Sequence, residues 1–320
     1  MPHIISNLRR KITIFLCRIY NAIGESGKMT RKSFLAGAAA LATDCAVPVP
    51  YVAEIPSLKV WFLGTGAADW SGRDDHGEDR RNSSVLLENR VLIDLTARNL
   101  EMLPTGCRPT TVFYTHSHGD HFAPETAVCL GIRRAYVHVS WVEDARKDFG
   151  VAARRLGKSA SDVLPLAFGE TVRAGDLECM ILPANHVTSR MGECCAMYMV
   201  KKGQVRLLYA VDTGCLMAEA TRICGIDAHV PNGVPVTAII MEATVGVDYA
   251  DDFRLFTHSS VATVAQTVRV LSKSGRYRPR LGQKVYITHL ARTLHGTQSE
   301  IAAVVPAPLT PAYDGLEVLF

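Results

Sequence analysis

Short apolar runs recur along the chain from residue 58 onward, and most end at a turn or a polar side chain. Runs such as residues 58–63, 110–114 and 236–241 have the length that is typical of buried β-strands. A different spacing begins at Val261, where apolar residues recur at helical intervals as far as Leu271. The pattern predicts short strands with helices between them.

Three further segments are predicted to be helical, namely residues 123–134, 141–156 and 214–223. Two hairpins are predicted over residues 168–184 and 195–211, where polar and Gly-containing turns separate apolar runs. These elements place the polar residues that follow each strand on loops.

One of these loops carries an unusual density of metal-binding side chains. Residues 115–121 read Thr-His-Ser-His-Gly-Asp-His directly after an apolar run. On a strand-to-helix loop, alternate residues can turn one way and the last pair another. His116 and His118 would then face one ion, and Asp120 and His121 a second. Nitrogen and oxygen ligands of this kind suit zinc, and also manganese or iron.

This HxHxDH pattern resembles the signature of the metallo-β-lactamase superfamily. The family places further ligands at later strand ends in the order His, Asp, His, and in this chain His186, Asp212 and His289 each follow an apolar run. An upstream Asp that braces the metal loop in the family is matched by Asp94. The resemblance covers roughly residues 57–320 and implies an α/β fold, a four-layer αβ/βα sandwich.

The resemblance implies two divalent metal ions, most simply zinc, with manganese or iron as alternatives. Each ion would have three ligands and both would share one carboxylate: His116, His118 and His186; Asp120, His121 and His289; and Asp212 as the bridge. Two such ions bring a bridging water to a pKa near neutrality, so that the resulting hydroxide attacks phosphorus or a carbonyl carbon. Asp94 would orient a ligand of the metal loop.

Two further residues are candidates for a role beside the metal ligands. His258 precedes the helical spacing that begins at Val261, and a helix N-terminus disfavours the charged form of histidine. In the phosphodiesterase branch of the family a His at this point faces the substrate, where it would stabilise an oxyanion or protonate the leaving group; plain capping is the alternative. Glu242 ends an apolar run and is either a supporting acid or a surface cap.

The branch of the family is indicated by Asp212 and by three other features. Classical β-lactamases of this fold lack a bridging Asp, whereas phosphodiesterases, tRNase Z and lactonases have one. Residues 64–66, residues 80–84 and His258 most resemble phosphodiesterases that open small cyclic phosphates. The resemblance therefore implies a phosphodiesterase that acts on a small phosphodiester, cyclic phosphates included. A lactonase or other carbonyl-ester hydrolase, and a non-catalytic metal-binding protein, are the alternatives.

Several polar residues have two interpretations each. Arg80 and Arg81 could meet a substrate phosphate through paired N–H donors, or could anchor the loop that carries them. His295 could contact the substrate or support a ligand. His138 is predicted to be a packed residue and His76 a surface residue.

Composition adds few constraints. With 320 residues, 48% of them hydrophobic, the chain can bury a large core, and its formal charge of +4 does not demand nucleic acid. No segment resembles the basic arm with which tRNase Z binds tRNA, so no stable nucleic-acid partner is expected. A homodimer is compatible with the fold.

The nine cysteines are odd in number and form no CxxC pair, which favours free thiols. No apolar run has the length of a membrane helix.

The N-terminal segment is predicted to be separate from the hydrolase domain of residues 57–320. Residues 29–42 have the basic, apolar and Ala-x-Ala-like order of a bacterial export signal, and they resemble a twin-arginine signal with Lys in place of the second Arg. Residues 1–28 would be an upstream extension that is not translated, and residues 43–56 a linker. The prediction is a periplasmic or exported protein; an uncleaved amphipathic N-terminus on a cytoplasmic protein is the alternative.

Overall fold

The computed structural model describes residues 57–227 and 233–320. The predicted extension, export signal and linker (residues 1–56) lie outside the described residues, so these three assignments and the export of the protein stay predictions.

Fourteen strands form two seven-stranded sheets within the described residues. The strands of the first sheet are β1 (Lys59–Gly64), β2 (Ser84–Leu87), β3 (Val91–Ile93), β4 (Thr111–Phe113), β5 (Arg134–His138), β6 (Asp162–Leu166) and β14 (Glu317–Leu319). Those of the second are β7 (Thr171–Ala174), β8 (Leu177–Pro183), β9 (Ala196–Lys202), β10 (Val205–Ala210), β11 (Ala238–Glu242), β12 (Val285–Thr288) and β13 (Leu309–Pro311). Their spatial orders are β14-β1-β2-β3-β4-β5-β6 and β13-β12-β11-β10-β9-β8-β7.

Five α-helices lie in the described part of the chain: α1 (Pro124–Leu130), α2 (Val142–Leu156), α3 (Ala218–Ile223), α4 (Val261–Lys273) and α5 (Gln298–Val304). Three 3-10 turns, Ala97–Met102, Val139–Trp141 and Phe253–Phe256, connect other elements. The α4 helix begins after Ser260, whose hydroxyl accepts a hydrogen bond from the Thr263 backbone, as an N-cap does.

The apolar core has three layers, which follow from strands that are buried on both faces. The central layer lies between the sheets, where Phe113 of β4 meets Tyr198 of β9 edge to face at 5.5 Å. A second layer packs α1 and α2 on the first sheet, with Phe149 at its centre, and a third packs α3, α4 and α5 on the second sheet. This order of helix, sheet, sheet and helix confirms the predicted four-layer αβ/βα sandwich.

Parallel pairing brings the ends of separate strands to one edge of each sheet. Strands β3, β4, β5 and β6 are parallel neighbours, and so are β10, β11, β12 and β13. Ligands bind at the carboxyl ends of parallel strands in open α/β sheets. The side chains that follow β3, β4, β10 and β12 are therefore placed to meet.

Two predicted boundaries were wrong, and one strand was not predicted. The helix predicted over residues 123–134 ends at Leu130, because Gly131 takes a left-handed conformation (φ 82°) and Arg134 already begins β5. The helix predicted over residues 214–223 begins only at Ala218. Strand β6 was not predicted, and Pro165 within it is tolerated because β6 is the edge strand of its sheet.

The seven cysteines among the described residues are free thiols, as the sequence predicts. No helix within residues 57–227 and 233–320 is both long and apolar enough to cross a bilayer.

Candidate metal centre

The predicted site residues gather where strands of both sheets end. Asp94 follows β3, the metal loop of residues 115–121 follows β4, Asp212 follows β10 and His289 follows β12. Asp94, Asp212 and His289 have positive φ angles of 59°, 53° and 55°. This conformation costs a non-glycine residue about 1–3 kcal/mol, and such strain concentrates at functional sites.

The first group of ligand atoms consists of three imidazoles. His118 Nδ1 lies 3.0 Å from His116 Nε2 and 3.3 Å from His186 Nε2. His116 and His118 come from the metal loop in the first sheet, whereas His186 follows β8 in the second. The structure therefore brings together the three residues predicted to hold the first ion.

The second group combines two imidazoles with a carboxylate. His121 Nε2 lies 3.3 Å from His289 Nε2 and 3.1 Å from Asp120 Oδ2, and His289 Nε2 lies 3.6 Å from the same Asp120 oxygen. These are the residues predicted to hold the second ion.

Asp212 lies between the two groups. Its Oδ2 atom is 4.0 Å from His116 Nε2, 2.7 Å from His121 Nε2 and 3.4 Å from His289 Nε2. This oxygen is buried and makes no well-aligned hydrogen bond to any described residue. A buried carboxylate oxygen without a hydrogen bond, facing imidazoles of both groups, fits a bridge between two cations.

Three of the imidazoles have an Nδ1 atom that points away from the cluster and contacts a neighbouring oxygen, and this arrangement fits metal ions. His116 Nδ1 lies 2.9 Å from Thr115 Oγ1, His121 Nδ1 lies 2.8 Å from Asp94 Oδ2, and His289 Nδ1 lies 2.8 Å from Thr244 Oγ1. A metal-binding histidine is oriented in this way, with one nitrogen hydrogen-bonded and the other facing the ion. The remaining nitrogens converge on one another, which is unfavourable unless a cation lies between them.

The charges of the site are consistent with the same conclusion. Burial holds the pKa of His116 well below its usual range, which leaves a neutral imidazole. Burial would raise the pKa of Asp212, but His289 and His121 outweigh it and keep that pKa well below normal. Burial would also lower the pKa of His121, but Asp120, Asp212 and Asp94 together raise it, so this imidazole is protonated until a metal ion displaces its proton. The neutral His116 and the ionised Asp212 are already in the forms that bind metals.

Asp94 supports the metal loop at two points. Besides its contact with His121, it accepts hydrogen bonds from the Thr115 backbone N–H through Oδ1 at 2.8 Å and from the Thr115 hydroxyl. It is fully buried. The predicted bracing role therefore has a geometric basis in this structure.

His258 corrects one expectation from the sequence. It lies before α4 but does not cap it, and its Nδ1 is 3.0 Å from Glu242 Oε2 and 3.2 Å from Asp212 Oδ1. Burial lowers the pKa of His258, but Glu242 and Asp212 outweigh it and raise the pKa to about 9. The prediction that this position disfavours the charged form was wrong, because two carboxylates from other strands oppose the effect of the helix end.

Glu242 is buried at the end of β11 and is not a surface cap. Its Oε1 accepts the Thr213 backbone N–H, and its Oε2 accepts the Thr244 hydroxyl. Since Thr244 also contacts His289, Glu242 connects His258 to the ligands.

Two supporting residues were not predicted. Glu193 accepts hydrogen bonds from the Ser117 backbone N–H at 2.7 Å and from the Ser117 and Thr188 hydroxyls. It thereby joins the segment after His186 to the metal loop. Thr244 has a weak sequence signal, its position two residues after Glu242, whereas Glu193 has none because it lies in a polar loop.

A cavity of about 280 Å³ opens onto the ligands, lined by Ala67, Ala68, Asp69, His118, Asp120, His186, Asp212, Thr244, Arg254, His258, His289 and Ala291. This volume lies just below the range of about 300–1,000 Å³ that is typical of ligand pockets. Arg254 was not singled out from the sequence.

Other residues considered above do not line this cavity. Arg80 is buried against Thr65 and Gln298, and Arg81 pairs with Glu101, so both anchor their loop. His295 lies near the ligand-bearing strands, where its Nε2 is 2.7 Å from the Ala243 carbonyl oxygen. His138 packs on Phe168 and His76 is exposed, as predicted.

Residues 64–66 form a close backbone contact with neighbouring segments. A Cβ on Gly64 would collide with the Asn82 carbonyl, and one on Gly66 with Trp70 and Arg80. Glycine is required there for packing.

Fold and site together define a metal-dependent hydrolase. The model of the beta-lactamase superfamily domain matches residues 90–290, and the chain belongs to that superfamily. The fold implies divalent metal ions, and the described His and Asp groups fit them.

Solved structures share this fold at low identity. The metallo-beta-lactamase fold protein YhfI from Bacillus subtilis is 15% identical with a TM-score of 0.59, over 83% of this chain and 100% of YhfI. Zn(2+)-bound PqqB from Methylobacterium extorquens is 16% identical with a TM-score of 0.58, over 81% of this chain and 99% of PqqB. Yeast PDE1 is 11% identical with a TM-score of 0.54, over 83% and 99% of the two chains. No curated protein matches this chain in sequence.

Proposed function

We propose that the protein is a binuclear metal-dependent phosphodiesterase that acts on a small phosphodiester. The observation that carries this proposal is the position of Asp212 between two groups of three ligands, with its Oδ2 buried and without a well-aligned hydrogen bond among the described residues. One cation would need only one such group.

The residues divide the work between holding the ions and handling protons. His116, His118 and His186 would hold one ion, Asp120, His121 and His289 the other, and Asp212 both. Divalent ions in such a pair activate a water and stabilise negative charge on oxygen. Zinc suits these ligands, and the structural similarity to a zinc-bound protein is consistent with that choice.

His258 would supply the proton for the leaving oxygen. It lines the cavity, and Glu242 engages its Nδ1, which leaves Nε2 to deliver a proton. Cations bound at Asp212 would weaken the attraction of that carboxylate for the imidazole. Glu242 would then be the partner that keeps His258 oriented.

Two observations favour a small phosphodiester. The cavity has a volume of only about 280 Å³. The second observation is the resemblance of the sequence to the phosphodiesterase branch, with which the fold similarity to yeast PDE1 is consistent. The bridging carboxylate itself is shared with lactonases and distinguishes this site only from classical β-lactamases.

The test measures metal content and turnover of the full chain. We expect two ions per chain and hydrolysis of bis(p-nitrophenyl) phosphate in the wild type. His118→Ala should lose at least one ion and most of the rate. His76→Ala, which removes an exposed histidine, is the matched control and should keep both.

Other results would redirect the proposal. Hydrolysis of homoserine lactones with no turnover of phosphodiesters would identify a lactonase. Less than one ion per chain, with no turnover after metal addition, would indicate a non-catalytic protein.

A further inference from the structure

We infer that Arg254 is a specificity-determining residue, and that the substrate carries a second anionic group, separate from the phosphodiester that reacts. This inference rests on the proposed function, because it concerns the substrate of the same site. The chemical class is a small phosphodiester that ends in an oxyanion, either a carboxylate or a phosphate.

The position of Arg254 is fixed by the backbone that leads to His258. The Arg254 carbonyl oxygen accepts the N–H of Thr257 at 3.0 Å and the N–H of His258 at 2.7 Å. Arg254 is thus one turn from a residue that faces the ligands, and it lines the same cavity. A side chain at this place can contact a substrate that enters the cavity.

Arg254 is also distinctive in its charge. Among the described residues that line the cavity it is the single Lys or Arg. The acidic lining residues are Asp69, Asp120 and Asp212. Asp69 is occupied by Thr293 and by the Arg292 backbone N–H, whereas the other two belong to the ligand groups. Apart from bound cations and a protonated His258, a substrate anion would find its positive partner here.

The Arg254 guanidinium has N–H donors that no described residue uses. Its Nη1 atom donates to Asp252 Oδ2 at 2.9 Å, and within the described chain Asp252 is its only acceptor. A guanidinium has five N–H donors. About a third of the side chain is exposed, and its other neighbour is the ring face of Phe253 at 5.1 Å.

Comparison with Arg80 shows how a structural arginine differs. Arg80 is 4% exposed, and its guanidinium is bonded to Thr65, Ala312 and Gln298. Arg254, by contrast, is about one-third exposed and lines the cavity. Arginine suits such a role because its planar group binds carboxylates and phosphates through paired donors.

The division of positive charge in the cavity is the reason to propose a second anion. The ion-pair partner of Arg254 is Asp252, which belongs to neither ligand group. The bound ions and His258 would face the phosphodiester that reacts, so Arg254 is the lining cation that remains. A second anionic group of the same substrate is what this cation would bind.

Three non-hydrolysable probes test the inference by equilibrium binding to the zinc-loaded full chain. Each is a methyl phosphonate ester on the same short alkyl chain, which ends in a methyl group, a carboxylate or a second phosphonate. We expect the wild type to bind an oxyanion-ended probe about tenfold or more tightly than the methyl-ended probe in calorimetric titration. The better of the two charged probes identifies the terminal group.

Variants assign the preference to one residue. Arg254→Gln should bind all three probes equally, and Arg254→Lys should keep part of the preference. Asp252→Asn should increase the preference for the charged probes. The amide oxygen can still accept the hydrogen bond from the Arg254 backbone N–H, but the neutral side chain no longer competes for the guanidinium. Arg108→Gln removes an exposed cation elsewhere and should change nothing.

The outcomes separate this inference from the proposed function. Equal or absent binding of the three probes by the wild type, or a preference that survives in Arg254→Gln, overturns the inference. A wild type that prefers the charged probes but hydrolyses no phosphodiester refutes the proposed function and leaves the role of Arg254 in place.

Discussion

The floor and the mouth of the cavity are built in opposite ways. We call floor the cluster of the seven candidate ligands with Asp94 and Glu242, some of which line the cavity and the rest of which support those that do. We call mouth the two segments next to His186 and His258, residues 187–193 and the turn Phe253–Phe256, of which Arg254 lines the cavity. His116 on the floor is fully buried, whereas Phe256 at the mouth is 82% exposed. Two contacts join the chain at His186 to the chain just before His258. His186 Nδ1 lies 3.2 Å from the Thr257 carbonyl oxygen, and Asn185 Nδ2 donates a hydrogen bond to the Phe256 carbonyl oxygen.

The contrast indicates that floor residues serve the reaction, whereas mouth residues select the substrate. Floor residues lie at strand ends, where parallel pairing and core packing hold them, and three of them have strained backbones. Mouth residues lie on turns with few packing partners, so they can change without disturbing the core. Changes on the floor should therefore affect metal content and rate, whereas changes at the mouth should affect stability or substrate choice.

The largest effect is expected for Asp212→Ala. Removing the carboxylate between the two ligand groups withdraws a ligand from both, and we expect a loss of roughly 10³-fold in kcat. Metal analysis should show fewer than two ions per chain. Asp248→Ala, in the exposed loop after β11, is the control. Wild-type metal content and rate in Asp212→Ala would exclude a bridging role.

A smaller but more selective effect is expected for His258→Ala. General acids contribute about 10²–10⁴-fold, so kcat on a cyclic phosphodiester with an alkoxide leaving group should fall within that range. The loss should be much smaller with p-nitrophenyl esters, whose leaving group needs no proton. Equal losses on both substrates would assign His258 to structure and not to proton transfer.

Asp94→Asn should act through metal affinity. The amide can still accept the Thr115 N–H, but it presents a donor to His121 Nδ1 and disfavours the tautomer that binds a metal through Nε2. We expect a loss of about 10–100-fold in affinity for zinc, measured by chelator competition. Asp162→Asn, on an exposed edge-strand residue, should bind zinc as the wild type does.

The smallest effect is expected at the mouth, for Glu193→Ala. This change removes the hydrogen bonds that fasten the segment after His186 to Ser117. We expect the free energy of unfolding to fall by about 1–3 kcal/mol in denaturant titration, and the loop to be cut sooner by protease. Glu219→Ala serves as the control. A change in zinc affinity as large as that of Asp94→Asn would place Glu193 on the floor.

The floor could be predicted from the sequence to a large extent. His186, Asp212 and His289 each follow an apolar run, and the structure places each after a strand of the second sheet. This works because a strand end is a local feature, and parallel pairing then brings such ends to one edge. The four-layer sandwich was predicted in the same way, through a motif whose geometry depends on few neighbouring residues.

The mouth could not be predicted. Arg254 lies in a loop that also contains Asp248, Asp251 and Asp252, and nothing in that composition shows that it lines the cavity. Arg80 and Arg81 stood beside a family-like motif, but the structure buries one and pairs the other with acids. Long side chains on loops are positioned by contacts with residues that are distant in sequence.

By itself, the sequence determined the kind of chemistry at this site. A dense His and Asp motif after a strand, with three further ligands at later strand ends, is a pattern that local backbone geometry makes meaningful. Only the tertiary structure decided how those residues interact. It placed Asp212 between two ligand groups and set Glu242 against His258, which reversed the charge preference expected from the helix end. It also turned Arg254 toward the cavity, because these contacts join residues that only the folded sheets bring together.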